Sequence, residues 1–325
     1  MRWIERQWQQ DTISSRLLLP LALLYSGLVA LNRELYRRGW RRSQRAPVPV
    51  VVVGNITVGG TGKTPLVLWI VEHLSAHGWR PGIVTRGYGG AAKTWPQVVT
   101  HSSDPALVGD EPLLLARRSG RPVVADPDRA RGAQRLVESG CNVIVSDDGL
   151  QHHRLQRDLE IAVVDGVRRL GNGRCLPAGP LREPAARLRE VDAVVAHGPV
   201  RAGEWSMTLV PGTFRRVRNP EETAALETFR NQTVHAVAGI GFPPRFFALL
   251  RELGVGVIEH PFNDHHRFRP SDLSFADARA VIMTEKDAVK CQGFAGDAVW
   301  YLAVDARLDA RFAEWLQQRL RVSRG

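Results

Sequence analysis

Residues 54 to 65 read Gly-Asn-Ile-Thr-Val-Gly-Gly-Thr-Gly-Lys-Thr-Pro, residue types and spacings suited to holding a nucleoside triphosphate. Glycines let successive backbone N–H groups curl around phosphate oxygens, and a following helix N-terminus adds a favourable field. Thr57, Val58, Gly59, Gly60, Thr61 and Gly62 would form the cradle. Lys63 would reach the outer phosphates, and the Thr64 hydroxyl would take a place on Mg2+. Pro65 is tolerated because the first helical turn makes no intrahelical use of its N–H. One departure stands out: the usual G-x-x-x-x-G-K-[ST] pattern wants glycine at position 57, where this chain has Thr57.

Acids come next. The apolar run Cys141 to Ser146 ends in Asp147-Asp148. A buried strand delivering a carboxylate beside a phosphate loop holds Mg2+ directly or through water; a solvated turn is the competing use of two adjacent acids. Gln151 and His152 follow closely enough to rim the same cleft. Gly109-Asp110-Glu111-Pro112 opens a helical pattern. There Asp110 is placed equally well to cap the helix or to accept the proton of an acceptor hydroxyl. In Asn263-Asp264-His265-His266 the Asp–His neighbours are suited to orienting a base, binding metal or bridging a loop. His152, His153, His265 and His266 lack the cysteines or ligand spacing of a zinc site. Arg86, Tyr88, Arg129 and Arg182 fall near expected strand ends, and together make a basic rim suited to phosphate. Thr284-Glu285-Lys286-Asp287 closes a buried strand and reads as structural or interdomain.

These residues need a scaffold. From Val48 onward strands (Val48–Val53, Gly82–Thr85, Val123–Ala125, Val143–Ser146, Ile161–Val164, Val191–Ala196) alternate with helices (Pro65–His77, Glu111–Arg118, Arg129–Glu138). That alternation predicts an α/β, doubly wound parallel sheet of the P-loop NTPase kind, with ligands at the carboxyl ends of its strands. The core is expected over 46–204. Around Pro211-Gly212, residues 205–232 read as a hinge or hairpin. Residues 233–325 are expected to form a second, smaller α/β domain, with strands at Val234–Ala238, Val255–Ile258, Ala280–Thr284 and Val299–Val304 and helices at Pro244–Leu253 and Ala310–Leu320. Its Gly239-Ile240-Gly241 turn lacks the third glycine of a dinucleotide fingerprint.

The 325 residues carry a formal charge of +11, which asks for an acidic partner: nucleic acid, an anionic membrane surface or a phosphorylated substrate. Three scattered cysteines form no disulfide framework and fit a reducing compartment. Within 1–45, the apolar run Leu17 to Leu31 is followed by Arg33, Arg37, Arg38, Trp40, Arg41, Arg42 and Arg45. Such a run is short for a bilayer crossing and its charge sits on the wrong side for a secretory signal. A helix lying in the membrane interface suits it, with arginines at anionic headgroups; packing on the protein's own core is the alternative.

Taken in order, Gly-Asn-Ile-Thr-Val-Gly-Gly-Thr-Gly-Lys-Thr-Pro, Arg-Gly-Tyr-Gly, Gly-Asp-Glu-Pro, Asp-Asp-Gly-Leu-Gln-His, Gly-Pro-Leu-Arg-Glu-Pro, Ala-Gly-Ile-Gly, Asp-His-His and Met-Thr-Glu-Lys-Asp-Ala-Val-Lys resemble the tetraacyldisaccharide 4'-kinase family from about residue 54 to 290. The resemblance implies phosphorylation by MgATP of the 4'-hydroxyl of a tetraacylated glucosamine disaccharide 1-phosphate, giving lipid IVA at the cytoplasmic face of the inner membrane. It implies a catalytic dyad at Asp110 and His265 flanked by Asp264, and phosphate and Mg2+ contacts at Lys63 and Thr64, with Asp147 at the strand end expected to share the metal. It also implies that Gln151, His152 and Arg182 line the active cleft, and Arg86, Tyr88, Glu111, Arg129 and Asp148 are expected with them as substrate contacts. Leu150 stands where phenylalanine is expected, and the doubled His265-His266 leaves open which histidine pairs with Asp110. A peripheral or monotopic enzyme with no obligate protein partner is the expectation. With Asp110 and His265 in different units, closure of the hinge is expected to assemble the site. The chief alternative is a deviant P-loop switch or partitioning ATPase, but those place lysine where this chain has Val58 and need no lipid-facing segment. No nucleic-acid-binding module is recognisable.

Overall fold

The computed structural model describes residues 8–277 and 279–322. Helices α1 (Ile13–Leu17) and α2 (Leu19–Arg37) precede the first strand. The first half then runs β1 (Val50–Gly54), α3 (Lys63–Ala76), β2 (Pro81–Thr85), β3 (Gln97–Val99), α4 (Pro105–Val108), α5 (Asp110–Ser119), β4 (Val123–Ala125), α6 (Arg129–Glu138), β5 (Val143–Asp147), β6 (Leu159–Asp165) and β7 (Ala193–His197). It continues through β8 (Trp205–Arg216) and the short β9 (Thr223–Ala224). The second half runs β10 (Thr233–Ala238), α7 (Pro243–Glu252), β11 (Gly256–Pro261), β12 (Val281–Thr284), α8 (Glu285–Cys291), β13 (Val299–Leu308) and α9 (Ala310–Val322).

Four consecutive valines with no polar alternation are what a strand buried on both faces requires, and β1 is buried throughout. Val51 and Val53 pack with Leu66, Ile70 and Leu74 of α3, in a cluster that also takes in Phe312, Leu316 and Leu320 of α9. Val50 and Val52 face the other way, toward Ala130, Ala133 and Leu136 of α6. The expected doubly wound core is therefore present, with helices on both faces of parallel strands. β1 lies between β5 and β6, and the pairing Val53↔Asp147 sets the end of β5 level with the start of the phosphate loop.

One sheet spans the chain, in the order β11-β10-β12-β13-β8-β7-β6-β1-β5-β2-β4-β3, with β9 paired to β8. β8 is parallel to β7 and antiparallel to β13, so it joins the strands of both halves. The hairpin turn expected at Pro211-Gly212 is not there. Pro211 instead lies inside β8 opposite Val304, where the register slips between Leu302 and Val304. Proline lacks a ladder N–H, and an irregularity of this kind is one of the few places in a sheet where it fits. A short antiparallel turn does exist further on, between Phe214 and Ala224. Helix α8 forms where the sequence reading had only the end of a strand; Thr284 caps it by accepting from the Asp287 N–H.

Among the described residues no helix is long and apolar enough to cross a membrane. Along α2 only Ala22 is buried. Leu23, Leu24 and Leu28 are 71%, 61% and 58% exposed, and Ile13, Leu17, Leu21 and Leu31 are exposed with them.

Candidate active site

The phosphate loop leaves β1 at Gly54 and enters α3 through Gly62, whose φ of 96° a side chain would strain. Residues 180–182 brace the loop: the Val58 N–H donates to Pro180 O (2.8 Å), and the Arg182 N–H donates to Ile56 O (2.7 Å). Fully buried Asn55 holds it from inside. Asn55 Nδ2 donates to Gly59 O (3.3 Å), and Asn55 Oδ1 accepts from Lys63 Nζ (3.1 Å). Lys63 is thereby aimed across the loop, 3.5 Å from Asp148 Oδ1.

Asp147 is buried at the tip of β5, and its Oδ1 has no hydrogen-bond partner among the described residues. Burial, then the charges of Glu111 and Asp148, push its carboxyl up to about 7 against the pull of Lys63 and Arg129. Asp148 sits at φ 48° and takes two hydrogen bonds from Arg182 Nη1, at 2.9 and 3.2 Å. Burial raises its carboxyl, but Lys63 and Arg182 outweigh this and hold it at about 2. Arg129 lies buried beneath, donating to Asp147 O (3.0 Å) and Asp126 O (3.2 Å). Burial lowers its guanidinium to about 10, and the neighbouring Arg86 charge works the same way. Gln151 donates to Glu183 Oε1 (2.6 Å) and to Asn55 O (3.1 Å), while His152 donates from Nε2 to Pro127 O (3.1 Å).

A second constellation is built by α5 and α8. Asp110 is the first residue of α5, not its cap: Gly109 occupies that position at φ 95°, and a side chain there would run into Tyr88 O. Asp110 is buried, and His265 Nδ1 lies 3.1 Å from both of its oxygens. This settles which histidine is the neighbour, since His266 turns away to Asp272 Oδ2 at 3.0 Å. The contact exists without any further closure of the chain. His265 is held at φ 59°, a backbone conformation that costs energy in a non-glycine residue. Burial raises the Asp110 carboxyl, but the hydrogen bond with His265 and the charges of Lys286 and Lys290 bring it to about 2. Burial depresses the His265 imidazole, yet Asp110 more than compensates and the net shift is upward. Tyr88 stands edge-on to the imidazole, ring centres 4.9 Å apart.

Glu111 links the two constellations. Its charge is felt at Asp147 on one side, and it accepts from Lys286 Nζ at 2.9 Å on the other. Lys286 also donates to Asp264 Oδ1 at 3.2 Å. Of the residues singled out from sequence, Lys63, Arg129, Asp147, Asp148, Gln151 and Arg182 are joined around the loop and Tyr88, Asp110, Glu111, Asp264 and His265 around the pair, with Arg86 near enough for its charge to act on Arg129. Sequence reasoning missed Asn55, Glu183, Lys286 and Lys290. All four lie within the quoted motifs; Asn55, Glu183 and Lys290 have no role assigned there, and Lys286 reads only as structural or interdomain.

A strand–glycine loop–helix phosphate cradle with a buried acid at the adjacent strand end defines a P-loop nucleotide enzyme. A carboxylate–imidazole pair joined to it through Glu111 adds the means to take a proton from an acceptor, the equipment of a phosphotransferase. Comparison with known proteins agrees: the family model described as LpxK, Tetraacyldisaccharide-1-P 4'-kinase, matches residues 14–321. Tetraacyldisaccharide 4'-kinase of Alkalilimnicola ehrlichii is 56% identical over 324 residues, covering 98% of this chain and 95% of the relative. That of Nitrosococcus oceani is 51% identical over 310 residues, covering 95% and 91%. A crystal structure of the "apo" form of LpxK from Aquifex aeolicus in complex with ATP superposes with a TM-score of 0.79 at 28% identity, over 95% of this chain and all of that one. The chain belongs to the tetraacyldisaccharide-1-phosphate 4'-kinase family.

Proposed function

We propose that Asp110, positioned by His265, accepts the proton of the sugar 4'-hydroxyl while the loop around Lys63 holds the triphosphate for in-line transfer. The enzyme is a tetraacyldisaccharide 4'-kinase that uses ATP, a phosphotransferase of lipid A biosynthesis. The observation that carries the assignment of the base is the 3.1 Å contact between His265 Nδ1 and both oxygens of buried Asp110. Lys63 and the loop amides neutralise charge on the outer phosphates; half-buried Arg182 and exposed Arg86 are the arginines suited to the acceptor's phosphate, while buried Arg129 braces Asp147 from beneath. Proton transfer is late in a loose phosphoryl-transfer transition state, so positioning and electrostatics supply most of the acceleration. General-base assistance contributes a factor of about 10²–10⁴.

The site fits a divalent cation, because Asp147 carries a buried oxygen with no partner among the described residues and a carboxylate destabilised by burial and by its acidic neighbours. Thr64 and Asp147 would hold Mg2+, which when bound neutralises charge on the phosphoryl group in transit. For a multiply acylated acceptor the enzyme works at a bilayer surface. The exposed leucines of α2 and the arginines behind them support peripheral or monotopic docking, and we place it at the cytoplasmic face of the inner membrane, where ATP is available. Residues 46–204 act as the phosphoryl-donor unit and 233–325 as the unit that brings His265. Incubating the protein with γ-labelled ATP and the acylated disaccharide 1-phosphate in mixed micelles tests the reading. Label should move to a lipid carrying two phosphates; label appearing only as inorganic phosphate, with or without the lipid, would contradict it.

A further inference from the structure

The Asp110–His265 pair has a third neighbour with no assigned task. Lys286 is the second residue of α8, which begins directly after the buried strand β12. An ammonium has three donors and no acceptor, and Lys286 Nζ has three acceptors around it: Glu111 Oε1 at 2.9 Å, Asp264 Oδ1 at 3.2 Å and His265 Nε2 at 3.3 Å. A ring nitrogen facing a donor-only group must present its lone pair. In the neutral imidazole the proton then resides on Nδ1, and Nδ1 points at both oxygens of Asp110. Both imidazole nitrogens are thus engaged, and neither remains for substrate. The carboxylate, with about four lone-pair directions, accepts from His265 and from the Glu111 N–H at 3.0 Å and keeps room for one more donor.

We propose that Lys286 is a positioning residue of this site: its ammonium caps His265 Nε2, confines the neutral imidazole's proton to the Asp110 side, and leaves Asp110 as the member of the pair that meets the acceptor hydroxyl. This rests on the reading of Asp110 as proton acceptor. The charged and titratable groups around the pair are Asp110 and Glu111 on α5, Asp264 beside His265, Tyr88 after β2, and Lys286, Asp287 and Lys290 on α8. Lys290 does not duplicate Lys286: it is bound to Asp287 at 2.7 Å and stands 3.7 Å from Asp110 Oδ2. Loss of Lys286 removes the positive charge nearest Nε2, so the imidazolium form persists to higher pH and its charge lowers the basicity of the Asp110 carboxylate.

The test uses the full chain labelled with 15N-histidine, the His265 signals being assigned by their loss in His265→Gln. On the alkaline side the wild type should show the Nδ1–H tautomer. In Lys286→Ala the titration midpoint of His265 should rise by about one pH unit, as expected for one charge removed at this range in a partly solvated site. The acidic limb of the kcat–pH profile should rise with it, the KM for MgATP should change less than about twofold, and Lys286→Arg should restore midpoint and profile together. Should Lys286→Ala not fold, Lys286→Gln carries the same measurement. An Nε2–H tautomer in the wild type, an unmoved midpoint, or a moved midpoint with an unmoved kcat profile would each overturn the proposal. Failure of the underlying reading looks different: Asp110→Ala would turn over normally, whatever the tautomer of His265.

Discussion

His265, the neighbour of Asp110, and Asp148, the neighbour of Lys63, sit at φ 59° and 48°, where side chains other than glycine are uncommon. Each is over-determined by partners, His265 by Asp110 and Lys286, Asp148 by Arg182 and Lys63. Asp110 also leaves a thermodynamic signature. Its folded pKa of about 2 lies below the ordinary 3.8, so its ionised form adds stability above about pH 4, and that contribution is lost as pH falls through about 2. Asp110→Asn should accordingly cost about 2 kcal/mol near pH 7, and the gap from wild type in urea-unfolding midpoints should close between pH 4 and 2. A constant gap would mean that the carboxylate's charge is not what the fold stabilises. Lys63 and Asp147 were legible beforehand because each ends a short, locally patterned segment. Lys286 was not, since its meaning depends on Glu111, 175 positions away in the chain.

At the scale of elements, strands and helices of the first half were readable because each carries its own periodicity and punctuation. Helix α6 has the bounds expected, Arg129 to Glu138, with Asp128 accepting from the Ala130 N–H as its cap. β8 was not readable. Its residues alternate poorly, and its place depends on β7 and β13, which flank it in the sheet but come from different halves of the chain. α8 was missed because seven residues are too few to show a helical period. Yet α8 delivers Lys286 and Lys290, and buried Asp287 anchors it by accepting from the Gly239 N–H and the Thr284 hydroxyl, both at 2.7 Å. Asp287→Ala should cost about 3 kcal/mol of stability by orphaning those donors and Lys290. The thermal midpoint should fall and the Asp110–His265 pair should loosen with it; an unchanged midpoint would argue against α8 as the support of the site.

For the whole molecule, the antiparallel seam between β8 and β13 and the return of α9 onto α3 set the donor loop and His265 in one frame. Gly241 shows how closely the halves meet there: a side chain at that position would press on Gly60 N. The amino-terminal helix belongs to the same frame, because Tyr25 donates to Arg182 O at 3.0 Å and so reaches the loop that brackets Asp148. Truncating residues 1–45 would disturb the site as well as the surface. Replacing Leu23, Leu24 and Leu28 by serine separates the two: vesicle binding and turnover of embedded acceptor should drop at least about tenfold, each leucine losing on the order of 1 kcal/mol of burial, with the KM for MgATP unchanged. Equal activity on vesicles would remove α2 from membrane docking. The proposed mechanism requires Asp110 to take the acceptor's proton over a nucleotide held by Lys63. It is tested most directly by measuring single-turnover transfer from γ-labelled ATP in Asp110→Ala alongside equilibrium binding of MgATP to the same variant. Transfer should fall about 10²-fold or more with binding intact; transfer at the wild-type rate would contradict it.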